Sequence, residues 1–111
     1  MEISRVIENG ITILNLSGNL LGEKDAKPIL ESVAISIENN SNKFVLDLID
    51  MKYINSTGLS VLLTVLTKSR NAGGEMVIVN IPEQLASLLK ITKLSDLFPQ
   101  AASKAEAIAS I

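Results

Sequence analysis

Neither cysteine nor histidine occurs anywhere in the 111 residues. Their absence excludes Cys–His and Ser–His–Asp nucleophilic catalysis, thiolate redox chemistry and the common zinc sites. A small secreted fold stapled by disulfides is excluded on the same ground. Tryptophan is missing as well, and the aromatics amount to two Phe and one Tyr, so the core has to be aliphatic. Charge of one sign is scarce: 10 basic against 12 acidic residues leave a net charge of -2. With no basic face to track a phosphate backbone, no nucleic-acid partner is expected. No apolar run approaches the roughly 18–20 residues that cross a bilayer, and "MEISRVIENG" is not a charged-then-apolar leader. Direct membrane insertion is therefore not expected, and the expected location is the cytoplasm.

What is present is a chain of one domain's length, residues 1–111, with 47% apolar residues to build a core. Glu2 to Ile7 is predicted as a strand. Asn9-Gly10 follows, two residues that tolerate positive φ and so favour a tight hairpin. "ITILNLS" alternates as the return strand. In the next segment Asp25 is expected to cap a helix, with Pro28 tolerated in its first turn. Leu30, Val33, Ala34 and Ile37 lie at the spacing of one inward face. "NNSN" ends that helix.

"KFVLDLI" is a near-continuous apolar run, the pattern of a strand covered on both faces. After "INSTG" a second helix places Leu59, Leu62, Leu63 and Leu66 inward and Ser60, Thr64, Thr67 and Asn71 outward. "NAGG" supplies a glycine stop. It lacks the Lys-Ser/Thr of a nucleotide-binding loop. "EMVIVNI" reads as another buried strand. Pro82 opens a third helix with Leu85, Leu88 and Leu89 inward, and Ser103 caps a terminal one with Ala105 and Ile108 inward. The resulting order, β β α β α β α α, predicts an α/β fold. Its mixed sheet opens with an antiparallel hairpin, continues with parallel strands, and is packed by about four helices.

The block "FVLDLIDMKYINSTGLSVLLTVLTKSRNAGGEMVIVN" resembles the centre of bacterial anti-sigma factor antagonists, members of the STAS family. Asp47-Leu48, Ser56-Thr57-Gly58-Leu59 and Gly73-Gly74 stand where that family has Asp-Leu, Ser-Ser/Thr-Gly-Leu and Gly-Gly. Gly18 and Leu94 match two further positions. The resemblance implies a STAS-like fold and a protein–protein switch without catalysis or cofactor. The partner would be an anti-sigma factor that is also a serine kinase. Binding would free a sigma factor, phosphorylation at Ser56 would inactivate the antagonist, and a serine phosphatase would restore it. Two positions depart from the family pattern: Asn55 and Leu21 replace acids usual at those places.

Each singled-out residue also has a plain structural reading. Ser56 is expected to cap the second helix whatever else it does. Thr57 is the minor alternative phosphate acceptor. Asn55 reads as a loop residue or a cap in its own right. Gly58 either lets a partner approach or relieves packing. Leu20 and Leu21 are loop contacts or core. The expected partner surface is Leu20, Leu21, Asn55, Ser56, Thr57, Gly58, Ser60, Thr64 and Lys68. Asp47 and Asp50 are too few and too separated for a metal site, and Asp47 is expected to bond loop N–H groups. The competing reading is a non-switching STAS scaffold, an accessory subunit of a membrane transporter complex. A hydrolase or nucleotide-binding enzyme lacks a base, a nucleophile pair and a phosphate loop. The aliphatic helices allow a monomer or a weak dimer.

Overall fold

The structure is a computed structural model that describes every residue from Met1 to Ile111. The chain opens with β1 (Glu2–Glu8) and β2 (Ile11–Leu20), paired antiparallel from Glu8↔Ile11 to Glu2↔Ser17. Asn9 and Gly10 between them have φ of 53° and 77°, the left-handed pair of a type I′ turn. There follow α1 (Glu23–Glu38), β3 (Lys43–Asp47), β4 (Met51–Ile54), α2 (Ser56–Asn71), β5 (Glu75–Val79), α3 (Glu83–Ile91), β6 (Gln100–Ala101) and α4 (Lys104–Ser110). The predicted mixed sheet with four helices is thus the observed fold.

The sheet runs β1-β2-β3-β5-β6, parallel from β2 onwards, and β4 joins it beside β2. β2 is shared by two parallel neighbours. Its first half, Thr12 to Asn15, pairs with β3, and its second half, Gly18 to Leu20, pairs with β4. The change of partner falls at Gly18, where φ is 102° and the register shifts. A side chain there would be strained, and the Gly18 N–H donates to the Asp50 carbonyl at 3.1 Å. That bond ties the bend in β2 to the turn leading into β4.

One face of the sheet carries most of the core. Leu14, Leu16, Phe44, Leu46, Met76 and Ile78 point from the strands into the same cluster as Ile29 and Val33 of α1, Leu62 and Leu66 of α2, and Leu85 and Leu89 of α3. The other face buries only Ile11, Ile13, Val45, Val77 and Val79, with Ala107 of α4 laid over them. Both faces of β3 and β5 are covered, which is why those strands read as unbroken apolar runs.

Several predicted details are corrected. The segment 43–54 contains two strands, because a turn closed by Met51 N–H to the Leu48 carbonyl separates β3 from β4. β6 comes from a stretch read as irregular; it is two residues long and pairs with Ile78 and Val79. α1 starts at Glu23, with Gly22 as its N-cap, so Pro28 lies inside the helix rather than in its first turn. Asp25 is not the cap; it sits in the first turn and accepts from the Leu21 N–H at 3.0 Å. The inward face of α1 is centred on Ala26, Ile29, Val33 and Ser36; the predicted Leu30 and Ile37 are half-buried against the same core, while Ala34 is exposed. Ser36 is tolerated in that face because Arg5 reaches it from β1, with Nη2 donating to Oγ at 3.2 Å. Pro82 is the cap of α3 and not its first residue, and in α4 it is Ala107 that is buried, not Ala105. Ser103 does cap α4, accepting from the Glu106 N–H at 3.2 Å.

Candidate functional site

The site predicted from the sequence gathers at the carboxyl end of β2 and β4, where α2 begins. Asn55 is extended, at φ -124° and ψ -171°, and its Oδ1 accepts from the Gly58 N–H at 3.0 Å. Asn55, and not Ser56, is therefore the N-cap. The reason is that its amide does two jobs at once: Nδ2 also donates to the Leu21 carbonyl at 3.1 Å. A hydroxyl in its place has too short a reach for both.

Ser56 is consequently the first residue of the helix. It is exposed, and its hydroxyl bonds to no protein atom. The hydroxyls that follow on the same side are occupied. Ser60 Oγ donates to the Ser56 carbonyl at 3.1 Å, and Thr64 Oγ1 to the Ser60 carbonyl at 2.9 Å. Thr57 is exposed and shares the free state of Ser56. The helix end around them is short of negative charge, since the first turn contains no acid and the cap is an amide. The Gly58 N–H is taken by Asn55 Oδ1 and the Leu59 N–H by the Asn55 carbonyl, leaving the N–H groups of Ser56 and Thr57 without a partner in the chain. The positive end of the helix dipole thus opens to solvent at the two free hydroxyls.

The other predicted contact residues divide by burial. Leu20 is fully buried in the main core, and Gly58 is buried against it. A Cβ on Gly58 would collide with the Leu20 carbonyl and come within 2.6 Å of Ile54 Cγ1. Both residues are packing contacts beneath the site, which removes them from the accessible surface where the sequence reading put them. Leu21 is 42% exposed and stays on the surface beside Asn55. Ser60 and Lys68 are exposed and Thr64 is half-buried, so Ser56, Ser60, Thr64 and Lys68 form one stripe along α2 at a spacing of four.

At its far end the stripe borders a cleft of about 450 Å³ between the carboxyl ends of α1 and α2, lined by Ala34, Ile37, Lys68, Asn71 and Ala72. A second, shallow depression of about 480 Å³ follows α1 along Ala26, Lys27, Leu30 and Ala34. The sequence reading placed Leu30 and Ala34 wholly inside and so missed this side of the surface. It also passed over Tyr53, 59% exposed on β4 two residues before Asn55, and Gln84, whose Oε1 accepts from the Ile54 N–H at 2.7 Å. An aromatic ring on a strand of mixed exposure was the available signal for Tyr53. Gln84 gave none.

Asp47 Oδ1 accepts from the Ile49 N–H at 3.1 Å and from Asn80 Nδ2 at 2.9 Å, so it holds the loop after β3, as expected. Asp50 is exposed, and its carbonyl serves Gly18. The helix is closed at its far end by the predicted glycines. Gly73 has φ 82°, its N–H donates to the Arg70 carbonyl at 3.0 Å, and the Gly74 N–H donates to the Ser69 carbonyl at 2.8 Å. No helix of the chain is long and apolar enough to cross a membrane.

Comparison with known proteins agrees with this geometry. The STAS domain family profile matches residues 2–107. The chain is 28% identical over 102 residues to BtrV of Bordetella bronchiseptica, provisionally named an anti-sigma factor antagonist, covering 92% of this chain and 87% of that one. It is 30% identical over 81 residues to the anti-sigma-B factor antagonist of Bacillus subtilis, covering 71% of this chain and 74% of the relative. Among solved structures, one provisionally named an anti-sigma factor antagonist from Thermotoga maritima superposes with a TM-score of 0.88 at 23% identity, over 98% of this chain and 93% of the other. The Bacillus cell-fate determinant SpoIIAA, solved in a phosphorylated form, superposes with a TM-score of 0.76 at 14% identity, over 98% of each chain. The match along nearly the whole length, in sequence and in fold, makes this chain a member of the STAS domain family, the family to which the anti-sigma factor antagonists belong.

Proposed function

We propose that this protein is an anti-sigma factor antagonist switched at Ser56: a non-enzymatic module, folded as one domain over residues 1–111. It engages an anti-sigma factor with serine kinase activity, thereby releasing a sigma factor, and loses that partner when Ser56 is phosphorylated. The observation that carries the reading is the free, exposed hydroxyl of Ser56 at the first position of α2, with the capping done by its neighbour. A hydroxyl already committed to a cap would have to break a native bond before it could be modified. This one does not.

The same geometry explains why the modification would leave the fold intact. A phosphoserine brings roughly -1.5 to -2 charges. At Ser56 it would meet two unpaired N–H groups and a helix end with no acid in its first turn. Asn55, where the resemblance expects Asp, removes one more like charge from its neighbourhood. The penalty falls on the complex, in which a dianion must be desolvated or face an ill-matched surface. The contact surface is the exposed part of the predicted set: Leu21, Asn55, Ser56, Thr57 and the stripe Ser60, Thr64 and Lys68, with the α1 depression beside it. A serine phosphatase resets the switch in a cytoplasmic cycle.

Affinity purification from the native host with wild type, Ser56→Ala and Ser56→Asp tests the switch. The expected result is one serine kinase retained by wild type and Ser56→Ala and lost by Ser56→Asp, with phosphate on the wild-type peptide containing Ser56. Identical partners on all three baits, none of them a kinase, and no phosphate under any growth condition would refute it. Such an outcome, with transporter subunits among the captured proteins, would establish the scaffold reading instead.

A further inference from the structure

We propose that the outer edge of β1 is a self-association surface, on which a second copy of this chain adds its own β1 antiparallel to form one continuous sheet. This surface is independent of the Ser56 reading, because it lies on the strand at one end of the sheet.

β1 is seven residues long and has a neighbour on one side only. The type I′ turn at Asn9-Gly10 makes Glu8 and Ile11 the closing hydrogen-bonded pair. Bonded and non-bonded pairs alternate from there. Glu8, Val6, Ser4 and Glu2 therefore spend their backbone groups on β2, and Ile7, Arg5 and Ile3 point theirs outward. None of the backbone bonds made outside helices and strands involves residues 2–8, so no loop covers this edge. The opposite edge, β6, is two residues long and has little to offer a partner strand.

Long apolar edges are normally blunted by charge, proline or a bulge. β1 carries charge at Glu2, Arg5 and Glu8, yet two of its apolar side chains stay on the surface, Val6 49% exposed on the α4 side of the sheet and Ile7 52% exposed on the other. Two of the eight large apolar side chains left on the surface thus stand on this one strand.

The charges on β1 choose the occupant and its register. A two-fold axis perpendicular to the sheet keeps equivalent faces together, so each residue must pair with one of the same parity. Centring the axis on Arg5 would set Arg5 opposite Arg5 and Glu2 opposite Glu8, both repulsive. Centring it on Ile7 leaves little overlap and sets Val6 opposite Glu8, and centring it on Ser4 sets the exposed Val6 opposite Glu2. Centring it on Val6 gives Val6 opposite Val6, Arg5 opposite Ile7 and Ser4 opposite Glu8, with no like-charge pair. The outward groups of Arg5 and Ile7 then bond to those of Ile7 and Arg5 in the second copy. The closed, self-complementary pairing ends at a dimer and does not propagate.

The chain contains no cysteine, so single-cysteine variants report the register directly. Two Val6 positions across the axis form a non-hydrogen-bonded pair about 4.5 Å apart at Cα, within the span of a disulfide. Two Ser4 positions are offset by about 13 Å along the strands. Under mild oxidation Val6→Cys should form a covalent dimer about tenfold faster than Ser4→Cys or Ile7→Cys. Without cysteines, Val6→Lys should weaken the dimer about tenfold in sedimentation velocity, since it sets two cations face to face. Amide exchange should slow at Arg5 and Ile7 as protein concentration rises, and stay unchanged at Val6 and Glu8. Preferred cross-linking through Ser4→Cys or Ile7→Cys, equal rates for all three variants, or a wild type that stays monomeric at about millimolar concentration would each overturn the proposal.

Discussion

At the start of α2 two adjacent side chains divide the work, and substitution should separate them. Asn55→Ala removes a cap and the link to Leu21, and is expected to cost about 0.5–2 kcal/mol in urea unfolding. Ser56→Ala removes no native bond and should stay within about 0.5 kcal/mol of wild type in the same experiment. The sequence shows two hydroxyls and an amide at this place but not which one caps, because Asn, Ser and Thr all serve at helix starts. The choice is made by the Leu21 carbonyl, a partner 34 positions away. Thr12 poses the opposite case. It is fully buried on β2, and its Oγ1 has no hydrogen-bond partner. Thr12→Val keeps the shape and removes the unsatisfied oxygen, so it should raise the unfolding free energy by about 1 kcal/mol. An unchanged or lower stability would mean that the hydroxyl is satisfied after all, for instance by a buried water.

Among the elements, those with a strong local pattern were legible and those fixed by distant contacts were not. The β1–β2 hairpin follows from Asn9-Gly10 and flanking alternation, and the end of α2 from Gly73-Gly74. β4 goes unseen because the apolar run through Leu48 and Ile49 hides the turn that the Met51 N–H closes onto the Leu48 carbonyl. The inward face of α1 is legible at Leu30, Val33 and Ile37 but not at Ser36, which looks like a surface residue until Arg5 arrives from another strand. β6 is too short to have a pattern, and its place is fixed by pairing with β5. The glycines at the two ends of α2 test how closely the elements are pressed together. Gly58→Ala drives a methyl into the Leu20 carbonyl, and Gly74→Ala drives one into the Asn42 carbonyl. Each clash is with backbone, which cannot rotate away, so each variant should lose about 1–3 kcal/mol in a thermal or chemical melt. Wild-type stability for Gly58→Ala would show that β2 and α2 are not packed this closely.

The molecule as a whole is lopsided: three helices bury one face of the sheet, and the short α4 alone protects the other. Ala107→Glu forces a charge under α4 and should lift that helix, costing about 2 kcal/mol. Amide exchange should then quicken at Ile11, Ile13, Val45, Val77 and Val79 while α1 and α2 stay protected; uniform acceleration would instead mean that the two faces unfold as one. This asymmetry was legible only in part, since continuous apolar strands announce two covered faces without saying how thinly one is covered. A last consequence comes from the scarcity of aromatic rings. Tyr53 is the sole tyrosine of a chain without tryptophan, and it stands exposed on β4 two residues from the cap of α2. Emission excited beyond the absorption of Phe44 and Phe98 therefore originates at a single place, beside the helix start proposed as the switch. A titration followed at the tyrosine band reads that corner without any label, and a partner lacking both tryptophan and tyrosine would be seen arriving there through the light of one native ring.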